Sequence, residues 1–398
     1  MTRRSGIGYA AGVLAALALG LAGCGDPAEL DVDERAAVEE TLYPQFERVH
    51  GRAMPAPPEG LDARFAALLE RLREAGADLP STVDVRLTTE ADPDALCLAG
   101  GRIVIGRGLL AWLHSDDEAA AVLAAAGSMC RAADRAWRAG AAAGLPVDEA
   151  DTLRKLRYID VRLDDNASLY RQAVAGACRG ECADLLPPLL DRAGFDGEAF
   201  RRLVHRLSVE RPEALWLERV GGAAASPDAD DAGGADWSGL SGLRDGLEHL
   251  AVVRREIGRG RLDRAYRAVL AAGRTVPDDV DGRYLHAELD LRNNHAYYAR
   301  DRLDALVAKG HRLANADYLR GWILAHLREI EEADALLGPE MAFLPRAPGL
   351  YELAVLRVRK GRDDEGLALL QRADEAGPTS PYADAIDTVE QLIERRRR

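Results

Sequence analysis

The sequence predicts a mainly α protein with a small sheet in its N-terminal half, and three observations carry that prediction. The chain is rich in alanine while aromatic residues make up only 5%, a balance that favours helix over strand. Apolar residues recur at helical spacing along most of the sequence, and strand-like patterns are confined to two short stretches between 83 and 105. Small residues at Ala265, Ala299, Ala333 and Gly366 stand 34, 34 and 33 residues apart, which makes the C-terminal part a tandem array of similar helical units. A length of 398 residues is enough for two or three domains, each with its own core. With 47% apolar and 30% charged residues the chain is neither disordered nor a polytopic membrane protein. The net charge is −14, and outside Arg395–Arg398 there is no basic block to neutralise a phosphate backbone, so nucleic acid is excluded as an expected partner.

The first element is a targeting segment. Arg3 and Arg4 precede an apolar run over 7–22 that suits a signal peptide and is too short to span a bilayer comfortably. It ends in Leu21-Ala22-Gly23-Cys24, which resembles the lipobox of bacterial lipoproteins, in which the cysteine thiol takes the lipid. The resemblance implies removal of 1–23 and an acyl anchor at Cys24, each buried methylene adding about 0.8 kcal/mol of membrane binding. The alternative is an ordinary cleaved signal, or a short anchor with an incidental cysteine. Gly25 and Asp26 follow Cys24, so aspartate is not adjacent to it, and the sorting preference implied is outer membrane over inner, facing the periplasm.

Residues 24–58, polar and carrying Pro55, Pro57 and Pro58, read as a tether with a short helix. Helical periodicity follows over 61–75. The strict alternation Val83-Asp84-Val85-Arg86-Leu87 reads as a half-buried strand, and 96–105, broken by Gly100-Gly101, as a second strand region. Alanine-rich helices are expected over 116–142 and 147–175. The stretch 222–239 has Trp237 as its one large apolar residue, so 222–240 is a linker, dividing a domain over 59–221 from repeats over 241–398.

Twelve residues before the four small positions stand Val253, Ala287, Gly321 and Ala354. Twelve after them stand Pro277, His311, Pro345 and Pro378. This spacing resembles the tetratricopeptide repeat, a paired-helix unit that stacks into an α-solenoid, over about 246–380, with Pro381 to Glu394 as the capping helix. The resemblance implies a concave groove that binds a protein or peptide. Tyr284, Tyr318 and Tyr351 occupy equivalent places in units two to four, with Trp322 one turn after Tyr318. They are either an aromatic ladder for an extended partner segment or the filling of the seams between units.

Residues 94–135 carry a third resemblance. Asp94-Ala95-Leu96-Cys97-Leu98-Ala99-Gly100-Gly101-Arg102-Ile103, then Gly108-Leu109-Leu110 and the run from Ser115 to Ala124, are similar to the strand and helix entry of the HtpX/BepA-type zinc metallopeptidases, which include the CAAX prenyl endopeptidases. Glu181-Cys182-Ala183-Asp184 and Ala193-Gly194-Phe195-Asp196 resemble later segments of that family, in the same order. The resemblance spans roughly 60–220 and implies a gluzincin-like α+β domain. BepA-type proteins also join this domain to C-terminal tetratricopeptide repeats.

The family's chemistry needs H-E-x-x-H on a helix, two imidazoles one turn apart to hold Zn²⁺ and a glutamate to take a proton from the metal-bound water. The five positions here are Ala125, Ala126, Gly127, Ser128 and Met129, and the third-ligand position, four before Asp184, is Gly180. Methyl groups, a bare backbone and one thioether do not satisfy zinc. The eight histidines contain no pair three or four apart, and neither a G-x-S-x-G elbow nor a glycine-rich phosphate loop is present. The reading is therefore a degenerate metallopeptidase without catalytic residues, zinc or other cofactor, acting as a protein-binding scaffold in envelope protein quality control. The competing reading is an active zinc metalloendopeptidase with unrecognised ligands. Asp184 is then a capping or surface carboxylate.

Beyond Cys24 the cysteines are Cys97, Cys130, Cys178 and Cys182, an even number for an oxidising compartment. If the resemblance holds, they cluster where the zinc would have been. The pairing it implies joins Cys130 to Cys178 or Cys182, with Cys97 taking the other. Four buried free thiols are the alternative.

Overall fold

In the computed structural model the described residues are 29–142, 182–220, 239–376 and 383–398, apart from 51, 55–57, 213, 312, 314, 344 and 345. The lipobox with Cys24, the expected helix over 147–175, Cys178, Gly180 and almost all of the expected linker lie outside them. Among the described residues the structure is mainly helix, with one three-stranded sheet.

The chain enters through α1 (Val32–His50), whose Val38, Leu42 and Phe46 recur every four residues and form one apolar stripe. After α2 (Leu61–Glu74) come β1 (Asp84–Thr88), β2 (Ala95–Leu98) and β3 (Arg102–Gly106), in spatial order β1-β3-β2. β1 runs parallel to β3, with Leu87 opposite Ile105, and β2 is antiparallel to it, with Cys97 opposite Ile103. Gly100 and Gly101 turn this hairpin at φ 83° and 82°. The loop is the three residues Ala99-Gly100-Gly101, and its two positive-φ positions suit glycine because no side chain is strained there.

Both faces of the sheet are covered. Cys97, Ile103 and Ile105 point into a core shared with α2 and α4 (Asp116–Ala142). Leu96, Leu98 and Val104 point the other way, against Leu30, Val38, Leu42, Tyr43 and Phe46 of the N-terminal segment. The short helix expected within 24–58 is Val32–His50, and it packs as a layer of the N-terminal unit where a free tether was also expected. The prolines that suggested a tether begin only after it ends.

Short α3 (Arg107–Leu110) leads into α4, and α5 (Cys182–Arg192), α6 (Ala199–Glu210) and α7 (Leu215–Val220) complete this unit. Gly194, at φ 74°, ends α5 as a left-handed cap.

The second unit is four successive helical hairpins: α8 (Arg244–Gly258) with α9 (Leu262–Thr275), α10 (Val280–Arg292) with α11 (Ala296–Ala308), α12 (Ala316–Leu327) with α13 (Ile330–Phe343), and α14 (Ala347–Arg359) with α15 (Asp363–Ala376). The second helices start at 262, 296, 330 and 363, which reproduces the 34, 34, 33 spacing. Ala265, Ala299 and Ala333 are fully buried at the helix crossings. At Gly321 a methyl group would stand 2.9 Å from Leu337 Cγ, and at Gly366 2.5 Å from Val358 Cγ2. Small residues are thus required at these crossings because the helix axes approach too closely for larger ones. A final helix, α16 (Ala383–Arg397), places Ile386 and Ile393 on the last hairpin and leaves its polar side outward.

Candidate functional site

Residues 125–129, the positions set against H-E-x-x-H in the sequence reading, lie mid-way along α4, and the core of the N-terminal unit encloses them. Ala125, Ala126, Met129 and Cys130 are each 0% exposed. A side chain at Gly127 would meet Leu79 Cδ2 at 2.2 Å, so Leu79 fills the space over the helix where a larger residue would stand. Ser128 Oγ donates to the Ala125 carbonyl at 2.7 Å, an ordinary back-bond within the helix. Met129 and Cys130 both belong to the apolar core of this unit. The donor set does not fit zinc, which needs nitrogen, carboxylate or thiolate ligands. Among the described residues no group of three or more His, Cys, Asp or Glu is placed to hold a metal. The backbone of Cys182 and Asp184 lies in the first turn of α5.

A disulfide lies one residue beyond the motif. Cys97 of β2 and Cys130 of α4 are joined, with Cα atoms 4.9 Å apart across 33 residues of sequence. This corrects the pairing of Cys130 with Cys178 or Cys182. The inward face of β2 brings Cys97 directly against α4, so Cys130 meets its partner across the sheet–helix seam.

The other motif segments have structural work. Gly108 lies where a methyl group would be 2.1 Å from the Ala91 carbonyl. Around Ala193-Gly194-Phe195-Asp196, Arg71 Nη2 donates to the carbonyls of Ala193 (3.0 Å) and Gly194 (2.8 Å), and its guanidinium stacks 3.7 Å over the Phe195 ring. Burial works to raise the Asp196 carboxyl, but bonds from Arg202 and the Glu198 N–H outweigh it and hold the group below its ordinary range.

One site escaped sequence reasoning. Glu118, 4% exposed in its side chain, accepts from Arg206 Nη2 of α6 through both oxygens at 2.9 Å, and the same nitrogen donates to the Trp112 carbonyl. Glu118 also accepts from the His114 N–H at 2.7 Å, while its own N–H donates to Ser115 Oγ. Ser115-x-x-Glu118 is a capping-box spacing and was legible as such. Arg206, 88 residues away, carried no local signal.

The aromatic stripe is brought together in the second unit, but its centre is covered. Tyr318 and Trp322 are 4% and 1% exposed, with ring centroids 5.8 Å apart. The Arg346 guanidinium lies 4.3 Å from the Tyr318 ring and Arg292 5.0 Å from Trp322. Of the two readings of the stripe, seam filling describes these two rings, and their assignment as an open partner surface is corrected. Tyr284 and Tyr351 are half-buried; burial pushes the Tyr284 hydroxyl well above its usual range, and Tyr284 Oη donates to the Asn315 carbonyl at 3.3 Å.

Among the described residues no helix is long and apolar enough to cross a membrane. No protein-family model matches the chain, and no curated protein matches it significantly.

Proposed function

We propose that this chain is a lipid-anchored, periplasm-facing relative of the HtpX/BepA-type metallopeptidases that has lost catalysis and acts as a protein-binding scaffold through tetratricopeptide repeats. The observation that carries the reading is the enclosed middle of α4, where Ala125, Ala126 and Met129 are all 0% exposed and stand beside the Cys97–Cys130 bridge. An active site of that family needs these same positions open to water and substrate. Four helical hairpins with small residues at every crossing support the repeat reading. The partner surface then lies on the half-buried Tyr284 and Tyr351 and the polar groups around them, in service of envelope protein quality control. Metal analysis of the purified full chain, combined with casein hydrolysis, tests the reading. Substoichiometric zinc and no hydrolysis are expected. Stoichiometric zinc with cleavage that a chelator abolishes would establish the competing enzyme reading.

A further inference from the structure

The loop joining β1 to β2 is polar yet almost removed from solvent: Thr89 is 3% exposed, Glu90 7%, Asp92 8% and Asp94 5%. Enclosing carboxylates in this way is costly unless donors meet them. For Glu90 and Asp92 the first hairpin of the repeat unit supplies those donors. Arg254 Nη1 donates to Glu90 Oε2 at 2.5 Å, and Arg255 Nη2 lies 3.7 Å from Asp92 Oδ2. Glu90 Oε1 accepts from the N–H groups of Ala91 and Asp92, which holds the tripeptide in a fixed shape. Ala91, between the two acids, is 2% exposed and belongs to the apolar cluster of Leu247, Leu250, Ala251 and Val253 in α8.

The charges run the other way alongside. Arg107 donates to both oxygens of Asp279, at 2.5 and 3.1 Å, and Arg52 lies 3.7 Å from Asp281. Asp279 caps α10 by accepting from the Gly282 N–H at 2.7 Å. Arg107 Nε also bonds the Thr89 carbonyl, which ties this pair to the acidic loop.

The repeat register shows which surface is occupied. Tyr284, Tyr318 and Tyr351 each stand three residues before their unit's small residue, and in unit one that place belongs to Leu250. The place of Trp322, one residue after the small position, belongs to Arg254. Glu90-Ala91-Asp92 therefore covers, in unit one, the register place that Tyr318 and Trp322 fill in unit three, where Arg346 and Arg292 lie over the rings.

We propose that Glu90-Ala91-Asp92 is an autoinhibitory segment, which occupies in cis the end of the repeat array that otherwise takes an extended acidic segment of a partner, two carboxylates flanking a small apolar residue. This inference rests on the reading of the second unit as a binding array. Arg107–Asp279 is the latch beside it. Because the segment is tethered, it competes at a high effective concentration, and an external ligand of the same chemistry is excluded until it leaves.

The probe is a fluorescein-labelled peptide with the sequence of residues 88–94, Thr-Thr-Glu-Ala-Asp-Pro-Asp, titrated against the full chain in detergent by fluorescence anisotropy. The Glu90→Ala/Asp92→Ala variant is expected to bind the peptide at least tenfold more tightly than the unaltered chain. Adding Arg254→Glu and Arg255→Glu to that variant should abolish the gain. Arg107→Ala, which keeps Glu90 and Asp92 but removes the latch and its bond to the Thr89 carbonyl, should give a smaller gain in the same direction. Circular dichroism and solution scattering of each variant establish that it is folded, and the opened forms should have a larger radius of gyration. Equal binding by all forms, no binding by any, or a gain that survives reversal of Arg254 and Arg255 would each overturn the proposal. Peptide binding to the opened variant, with no binding of unfolded reduced carboxymethylated α-lactalbumin, would retain the cis segment and remove the scaffold reading.

Discussion

Replacing Arg206 by methionine removes a guanidinium that neutralises a buried carboxylate. The side chains of Glu118 and Arg206 are 4% and 7% exposed, and the pair links the first turn of α4 to α6. In the variant Glu118 keeps the His114 N–H at 2.7 Å and loses both 2.9 Å contacts to Arg206. Breaking one side of such a pair leaves an uncompensated buried charge and costs about 3–5 kcal/mol. Glu118→Gln/Arg206→Met should recover much of that loss, because glutamine still accepts the His114 N–H and no charge remains enclosed. The coupling in the double-mutant cycle is then about 1–3 kcal/mol. Urea denaturation followed by tryptophan fluorescence gives the midpoints. Hydrogen exchange localises the change, since the chain has two units and need not unfold in one step. The expected exchange pattern is faster opening of α4 and α6 with the repeat helices unaffected. A cost for Arg206→Met below about 1 kcal/mol, the range of exposed ion pairs, would refute the reasoning, as would strict additivity of the two substitutions.

The bridge should behave as a structural staple: Cys97→Ala/Cys130→Ala should lose about 4 kcal/mol by the loop-entropy relation for a sequence separation of 33, and peptide mapping of unreduced protein should recover a Cys97–Cys130 cross-linked fragment. Recovery of Cys130 joined to Cys178 or Cys182 would show the bridge to be wrongly assigned. Gly321→Ala, whose methyl group meets Leu337 at 2.9 Å, should lower stability by about 1–3 kcal/mol, whereas Gly338→Ala on a neighbouring helix, with nothing within 4 Å, should be neutral or stabilising; equal effects would contradict the close crossing. Trp322→Ala should cost about 3–5 kcal/mol and melt the second unit, and a variant with an unchanged melting temperature would place the ring on the surface after all. Burial works to raise the Asp279 carboxyl, but Arg107 and the Gly282 N–H hold it below 3.8. A carboxylate with a depressed native pKa stabilises the fold fully above the unfolded value, and that contribution is lost as pH falls through the lower native one. Acid titration of stability should therefore be less steep below pH 3.8 in Asp279→Asn than in the unaltered chain, and identical profiles would remove Asp279 from the pH dependence.

Local order in this chain is written locally. The alternation at 83–87, the Gly100-Gly101 turn and the 34-residue spacing each follow from rules that reach only a few residues, or that repeat, so helices, hairpin and repeat units were legible from the sequence. The absence of zinc donors at Ala125, Ala126, Met129 and Gly180 was equally legible, because ligand chemistry is a matter of residue type. Three-dimensional packing decided the rest. Val38, Leu42 and Phe46 form an apolar stripe, but only its seat against Leu96 and Leu98 makes α1 a layer of the fold instead of a tether. The sequence reading gave Cys130 to Cys178 or Cys182, and the sheet–helix seam joins it to Cys97 instead. Tyr318 and Trp322 had two readings until Arg346 and Arg292 were found over their rings. Nothing in the sequence singles out the acids at 90 and 92. Burial and pairing depend on which distant residue arrives opposite, 164 positions away for Arg254 and Glu90, and no local pattern encodes that arrival.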